Sequence, residues 1–284
     1  MKSLYQNWKL DPDLPMDIYE STNITFYPHF HAEVEFIYVE SGEIRIGVNE
    51  EKRLLRQGDM VVCSSKDIHY FDSRGLESKI MILIFKPDWI APSKSWPVDF
   101  RFASPFISGD IPGLEAVQVL LRNMLRENAG RRPGYQMLLK AGVLELCGLL
   151  QRYWDTIPIN RGSKVKSESR RARMQQILSY IEEHYREDLD VAAMSKQFHM
   201  EPSHFSRSFK STIGMNFKSY LNTVRVLTAE HLLLTSDLSI LEIALECGFS
   251  SIRTFNRVFK ELRGCIPSSM RGSASLSVSG GDTS

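Results

Sequence analysis

Cysteine is scarce in this chain. Its 284 residues include Cys63, Cys147, Cys247 and Cys265, with no CxxC pair and no short-spaced framework. That pattern speaks against a disulfide scaffold and for free thiols in a reducing compartment. Long hydrophobic runs are also missing. The purest run, Ile80 to Phe85, falls far short of the roughly 20 residues needed to span a bilayer. Met1 to Leu10 holds no apolar signal-peptide core. A soluble, cytoplasmic protein with no membrane partner is expected. Neither sign of charge dominates: 35 Lys and Arg face 34 Asp and Glu, for a net charge of +1. The balance is uneven along the chain, however. Residues 1–155 carry 18 basic and 21 acidic side chains, net −3, and residues 156–284 carry 17 and 13, net +4. The basic half suits a polyanion partner, and a solvated surface explains it about as well.

What remains is an ordinary globular composition, 43% hydrophobic and 24% charged, at a length that suggests two domains. From Ile24 to Phe85, short runs of β-branched and aromatic residues alternate with turn residues. Val34–Glu40, Glu43–Val48, Met60–Cys63 and Lys79–Phe85 read as strands, with turns at Ser41-Gly42, Asn49-Glu50 and Gly58-Asp59. Short strands at this spacing predict a sandwich or small barrel. The period then becomes helical. Leu114, Val117, Leu120, Leu121, Met124 and Leu125 form one stripe, and Met137, Leu138, Ala141, Leu144 and Gly148 form a second. Two such helices either cover the barrel or form a dimer seam, because the second spacing resembles a coiled-coil face. The reading is α+β, with residues 1–110 as the barrel domain and 111–155 as a helical connector. Residues 156–173 read as a polar linker, 174–272 as an all-α domain and 273–284 as a disordered tail.

The all-α part contains an internal repeat. Residues 205–214 read FSRSFKSTIG and residues 255–264 read FNRVFKELRG, so both fit F-x-R-x-F-K-x-x-x-G at an offset of 50 residues. On a helix the two Phe of each copy stack on one buried face, while the Arg and Lys share another. Asp190 is a candidate N-cap, Ser239 with Glu242 is a capping box, and Gly214 and Gly264 are helix stops. Each copy thus completes a helix-turn-helix, at 191–212 and 239–262, with Phe217 to Leu234 as a helical spacer between them. An α-helix fits the major groove, where Arg bonds guanine bidentately and Asn bonds adenine, while Lys and Ser hold phosphates. The assigned DNA contacts are Ser203, His204, Ser206, Arg207 and Lys210, with Ser251, Arg253, Thr254, Asn256, Arg257 and Lys260 in the second copy. Thr254 serves equally well as a cap-region residue. A purely solvated basic face would explain one copy, but it does not explain the repetition.

On PSHFSRSFK (202–210), Ile243-Ala244, Gly248-Phe249, FNRVFK (255–260), Gly264 and Pro267, residues 174–271 resemble the DNA-binding domain of the AraC/XylS family of transcription regulators. Met270 stands before Arg271 where the family has an aromatic residue. The resemblance implies two helix-turn-helix units bridged by a long helix, double-stranded DNA and RNA polymerase as partners, and commonly an activator.

In the first half, His29, His31 and Glu35 form H-x-H-x3-E, and His69 follows Gly58 by eleven residues. This resembles the two motifs of the cupin barrel, with Ser64 and Lys66 where the family has Pro and Gly. In AraC-like regulators such a domain implies a small-molecule effector site, commonly for sugars. We therefore expect His29, His31, Glu35 and His69 to bind an effector, with no metal or other cofactor and no enzymatic activity. The same residue types also suit a metal, which makes a cupin metalloenzyme the alternative. A structural role is a third reading. Phe26, Phe36, Tyr38 and Tyr70 fit the barrel core better than a sugar-stacking platform. The connector helices are expected to form a homodimer.

Overall fold

The computed structural model describes residues 10–90, 100–110, 112–158 and 161–271, so the tail at 273–284 lies outside the described residues. Two compact units divide between Arg173 and Met174. The first contains β1 (Met16–Thr22), β2 (Phe26–His29), β3 (Val34–Val48), β4 (Glu51–Arg56), β5 (Met60–Cys63), β6 (His69–Asp72) and β7 (Ser78–Phe85). A short α1 (Pro87–Ile90), β8 (Phe100–Phe102) and β9 (Phe106–Ile107) follow, then α2 (Leu114–Gly130), α3 (Tyr135–Tyr153) and β10 (Thr156–Pro158). One antiparallel sheet runs β1-β7-β3-β5-β9, while β4 and β6 pair with the far end of β3 and β2 pairs with β6.

Alternation along the strands sorts the side chains into two cores. Val34, Phe36 and Tyr38 of β3, Met60 and Val62 of β5, and Met81, Leu83 and Phe85 of β7 pack with α2 and α3. The intervening Ile37, Val39, Val61, Cys63, Ile80, Ile82 and Ile84 face the barrel interior with Ile44, Ile46 and Phe71. Glu35 lies between Val34 and Phe36, and the period therefore sends it inward with Ile37.

The turn expected at Ser41-Gly42 is instead the bend of one 15-residue strand. The register with β7 shifts between Val39 and Ser41, and Gly42 has φ +76°, with its Cα face against the Glu77 carbonyl. A bulge here turns β3 so that its first half pairs with β5 and β7 and its second half with β4 and β6.

Residues 111–155, expected as a connector, are part of the first unit. The α2 stripe is buried as read: Val117, Leu121 and Met124 are inside, and Leu114, Leu120 and Leu125 pack at the edge. Of the two roles read for the α3 stripe, covering the barrel is not the one it plays, because a different face of the helix is turned inward. Leu139, Val143, Leu146, Cys147 and Leu150 face the barrel, whereas Met137, Leu138 and Leu144 are 78%, 56% and 47% exposed. Gly142 lets α3 approach α2, since a Cβ there would meet Met124 at 2.8 Å. Each large side chain so buried contributes about 1.5–3 kcal/mol relative to exposure.

The stretch 156–173, expected as a linker, carries β10, paired with β8, and the start of α4 (Arg161–His184). The second unit continues with α5 (Val191–Gln197), α6 (Pro202–Ile213), α7 (Phe217–Thr235), α8 (Ile240–Glu246) and α9 (Ile252–Arg263). Phe217 and Tyr220 of α7 pack against Phe205 and Phe209 of α6. Val226, Ala229 and Leu233 of α7 join Phe249, Phe255 and Phe259 in a separate cluster. One helix thus supports both helix-turn-helix units.

Candidate nucleic-acid interface and histidine cluster

Local chemistry fixes the ends of both helix pairs. The Asp190 carboxylate accepts from the Ala193 amide at 2.7 Å and starts α5. Pro202 sits in the first turn of α6, and Gly214, at φ +85°, ends it. The capping box at Ser239 and Glu242 is formed, with the Ser239 amide donating to Glu242 at 2.7 Å and the Glu242 amide to the Ser239 hydroxyl at 3.2 Å. Ser251 caps α9 and Gly264, at φ +73°, closes it.

These helices sort their residues by face. In α6, Phe205 and Phe209 are fully buried, while Ser203, His204, Ser206, Arg207 and Lys210 are exposed. In α9, Phe255 and Phe259 are buried beside Val258, while Arg253, Asn256, Arg257 and Lys260 are exposed. Helical spacing places Ser203, Arg207 and Lys210 on one outward strip, and Arg253, Arg257 and Lys260 on the equivalent strip of α9. The two remaining contact residues are occupied locally. The Ser251 hydroxyl accepts from the Thr254 amide at 3.2 Å and donates to the Thr254 hydroxyl at 3.0 Å, so both build the cap. Arg257 is held by Glu261 at 2.8 Å, a partner absent from the sequence-based assignment although its i,i+4 spacing is visible there.

In the barrel, His29 ends β2, His31 follows it, Glu35 is on β3 and His69 opens β6. All four are buried, and one ligand-type atom from each lies within 4.8 Å of the others. The Nδ1 atoms face backbone carbonyls: His29 to Tyr27 at 2.8 Å, His31 to Glu33 at 3.2 Å and His69 to Asp67 at 2.9 Å. A carbonyl only accepts, so each Nδ1 carries the hydrogen and donates it. In a neutral ring that leaves a lone pair on Nε2. Yet Nε2 of His31 lies 2.9 Å, and Nε2 of His69 3.2 Å, from the same Glu35 Oε2. A lone pair facing a carboxylate oxygen at that distance requires a cation between them, either a proton or a metal ion.

The same contacts set the charges within the cluster. Burial alone would lift the Glu35 carboxyl, but the charge of His69 and the hydrogen bonds from His31 and His69 outweigh it and hold the group below the usual carboxylate range. Burial opposes charging His69, but the Glu35 carboxylate outweighs that and raises it. Burial, with His69 alongside, pushes His29 well below the ordinary imidazole value, so it stays neutral. Cys63, opposite Glu35 in the sheet, is raised well above a normal thiol by burial and by that carboxylate. The four residues fit a metal ion, with three imidazoles turned by carbonyl acceptors and one carboxylate among them. Backbone carbonyls carry no side-chain signature, so no sequence pattern reveals these anchors. Phe26 packs edge-on to His29 at 4.6 Å, at the wall of the cluster. Phe36 and Tyr38 lie in the core shared with α2 and α3 rather than in the interior.

Among the described residues no helix is long and apolar enough to cross a membrane. A helix-turn-helix domain model matches residues 194–273, and a cupin domain model matches residues 19–85. An uncharacterized HTH-type transcriptional regulator of Staphylococcus aureus is 37% identical over 100 residues, covering 35% of this chain and 13% of that protein. The HTH-type transcriptional activator RhaS of Salmonella schwarzengrund is 35% identical over 89 residues, covering 31% of this chain and 32% of RhaS. The match therefore spans a third or less of either relative. Among solved structures, the DNA-binding domain of AdpA in complex with a target DNA is 32% identical with a TM-score of 0.36, over 37% of this chain and 96% of that one. The C-terminal domain is thus a helix-turn-helix domain of the AraC type, and the N-terminal half carries a cupin domain.

Proposed function

We propose that the chain is a sequence-specific, DNA-binding transcription regulator. The observation that carries this is the duplicated helix with Phe buried on one face and Arg, Lys, Ser and Asn exposed on the other. Each reading helix enters the major groove, and the two sample groove segments about one turn, ~34 Å, apart. The name of the relative RhaS supports an activator, which would act on RNA polymerase. The test is selection of full-length protein on random duplexes at fixed salt. An enriched sequence whose affinity falls steeply with added salt is expected. Recovery of no preference overturns the reading.

The cupin domain supplies the sensor in this proposal. His29, His31, Glu35 and His69 bind a small-molecule effector, such as a sugar, inside the barrel and bias the affinity for DNA. Such a bias requires that the effector bind two states of the protein with different affinity. The anchored Nδ1 atoms and the Nε2 contacts to Glu35 favour a second reading, in which the same four residues hold a metal ion. A metal there would act as a Lewis acid toward an oxygen-bearing ligand. Elemental analysis of purified full-length protein, with reporter expression for His29→Ala and His31→Ala, separates the two. Loss of response without stoichiometric metal supports the organic site. About one metal per chain, whose chelation silences the response, supports the metal. Normal response in both variants refutes a sensing role, and turnover by the barrel would establish the metalloenzyme alternative.

A further inference from the structure

The two reading helices sit on separate clusters. Phe205 and Phe209 pack with Phe217 and Tyr220, whereas Phe255 and Phe259 pack with Phe249, Val226 and Leu233. Apolar packing onto α7 holds each unit to that helix but leaves their relative setting to whatever lies between them. At that point α7 carries Arg225, a charged side chain only 9% exposed. Its Nε donates to the Tyr185 carbonyl at 2.8 Å and its Nη2 to the Glu187 carbonyl at 2.8 Å. Its guanidinium carbon lies 5.7 Å from the centre of the Phe249 ring.

These partners come from two different places. Tyr185 and Glu187 belong to the segment between α4 and α5, which leads into the first helix-turn-helix. Phe249 belongs to the turn of the second, between α8 and α9, and packs on Phe255 of the reading helix at 5.2 Å. The neighbouring Gly248, at φ +80°, lies so close that a Cβ would meet the Arg186 Cα and the Tyr185 carbonyl oxygen at 2.8 Å. Arg186 also pairs with Glu246 of α8 at 3.2 Å. A planar guanidinium suits this place because it donates in two directions and stacks on a ring at once, which an ammonium does not. A buried charge is held so only where its donors are satisfied.

We propose that Arg225 is a positioning residue for DNA recognition. It locks the turn of the second helix-turn-helix to the segment entering the first, and so fixes the offset between the two reading helices. This rests on the DNA-binding reading and adds to it the way two helices come to read one site. Once the first helix is seated, a fixed offset makes docking of the second intramolecular at high effective concentration. Loosening the junction lowers that concentration without removing any contact to DNA.

The test uses full-length protein and the duplex it selects, together with versions in which either half is scrambled and a version with one base pair inserted between the halves. Arg225→Lys should bind the intact duplex about tenfold or more weakly, because the second docking loses its advantage. Its affinity for either half-scrambled duplex should be unchanged, and its penalty for the inserted base pair should be smaller than wild type's. Phe249→Leu, which removes the ring beneath the guanidinium but keeps the cluster filled, should shift all three readings in the same direction. It stands in if Arg225→Lys does not fold. Equal losses on all duplexes would show a general effect on the fold and overturn the proposal. So would an unchanged affinity for the intact duplex, an unchanged insertion penalty, or a selected sequence confined to one groove segment. A wild-type protein that selects no sequence refutes the DNA-binding reading itself, a failure seen before any variant is made.

Discussion

Arg257→Ala separates base reading from simple charge attraction. Arg257 lies on the outer strip of α9, ion-paired to Glu261 at 2.8 Å with side chains 62% and 58% exposed. An exposed i,i+4 pair is worth about 0.3–0.5 kcal/mol, so the variant should unfold within roughly 4 °C of wild type. Its effect on DNA should be far larger. A bidentate Arg–guanine contact discriminates by about 1–3 kcal/mol, which is roughly 5- to 150-fold. The loss should be confined to a local cluster of base pairs. Because Glu261 competes for the same guanidinium, Arg257 gives up that pair to reach a base. Glu261→Ala should therefore raise affinity about twofold, by the value of the pair released, with a further gain from removing a negative charge facing phosphate. Anisotropy titrations on the selected duplex and its single-base variants, at one salt concentration, measure both. A uniform loss across all duplexes for Arg257→Ala would make it a phosphate contact. No loss would remove α9 from the interface. A fall in affinity for Glu261→Ala would mean that Glu261 organises Arg257 instead of competing for it.

Three further outcomes are expected. Lys210→Ala should weaken binding to all duplexes alike and reduce the salt slope by about one counterion, as a phosphate contact does; a base-specific change would reassign it. Leu144→Asp, at a site 47% exposed on α3, should leave the fold intact and abolish self-association in sedimentation velocity, if the outward face seats a second copy; a dimer that survives places the seam elsewhere. Gly248→Ala should destabilise more than Gly264→Ala in chemical denaturation. Both need a left-handed backbone, about 1–2 kcal/mol for a residue with a Cβ, but only Gly248 adds a clash at 2.8 Å, whereas nothing lies within 4 Å of a Cβ at Gly264. Equal effects would show that the turn relaxes.

The repeat was legible because its signal is local. Two Phe at i,i+4, a stop glycine and a cap residue each act within a few positions, so Ser239, Glu242, Gly214 and Gly264 could be placed without tertiary knowledge. The α3 face was not legible in the same way. Met137, Leu138 and Leu144 on one side and Leu139, Val143 and Leu146 on the other are equally apolar, and only the shape of the barrel surface chooses between them. At Ser41-Gly42 the sequence carries a genuine turn signal, but a bulged strand and a hairpin both use a glycine at positive φ. The histidines could be named from their spacing. Their orientation could not, because Tyr27, Glu33 and Asp67 hold them through backbone carbonyls. Arg225 is one of the residues that carry the family resemblance, but its role was not legible, since its acceptors are also backbone and lie some forty positions away.

The register that pairs Met16 with Phe85 joins the first strand of the barrel to the last of its long ones. On the ribosome this sets an order of events. At about 5–20 residues per second, roughly 3–14 s separate synthesis of the two partners. Throughout that interval β1 is an unpaired edge, and for most of it Glu35 has no His69 beside it. The buried cluster and the closed barrel therefore mature together, late, and through distant contacts, which is the slow route for a nascent chain. The C-terminal unit, whose helices mostly touch neighbours in chain order, carries less of this delay, the junction of Arg186 with Glu246 and Gly248 excepted. Expression faults in this protein should accordingly surface as aggregation of the N-terminal half, relieved by slower growth or chaperones, while polypeptide that clears that stage goes on to form the helical unit readily.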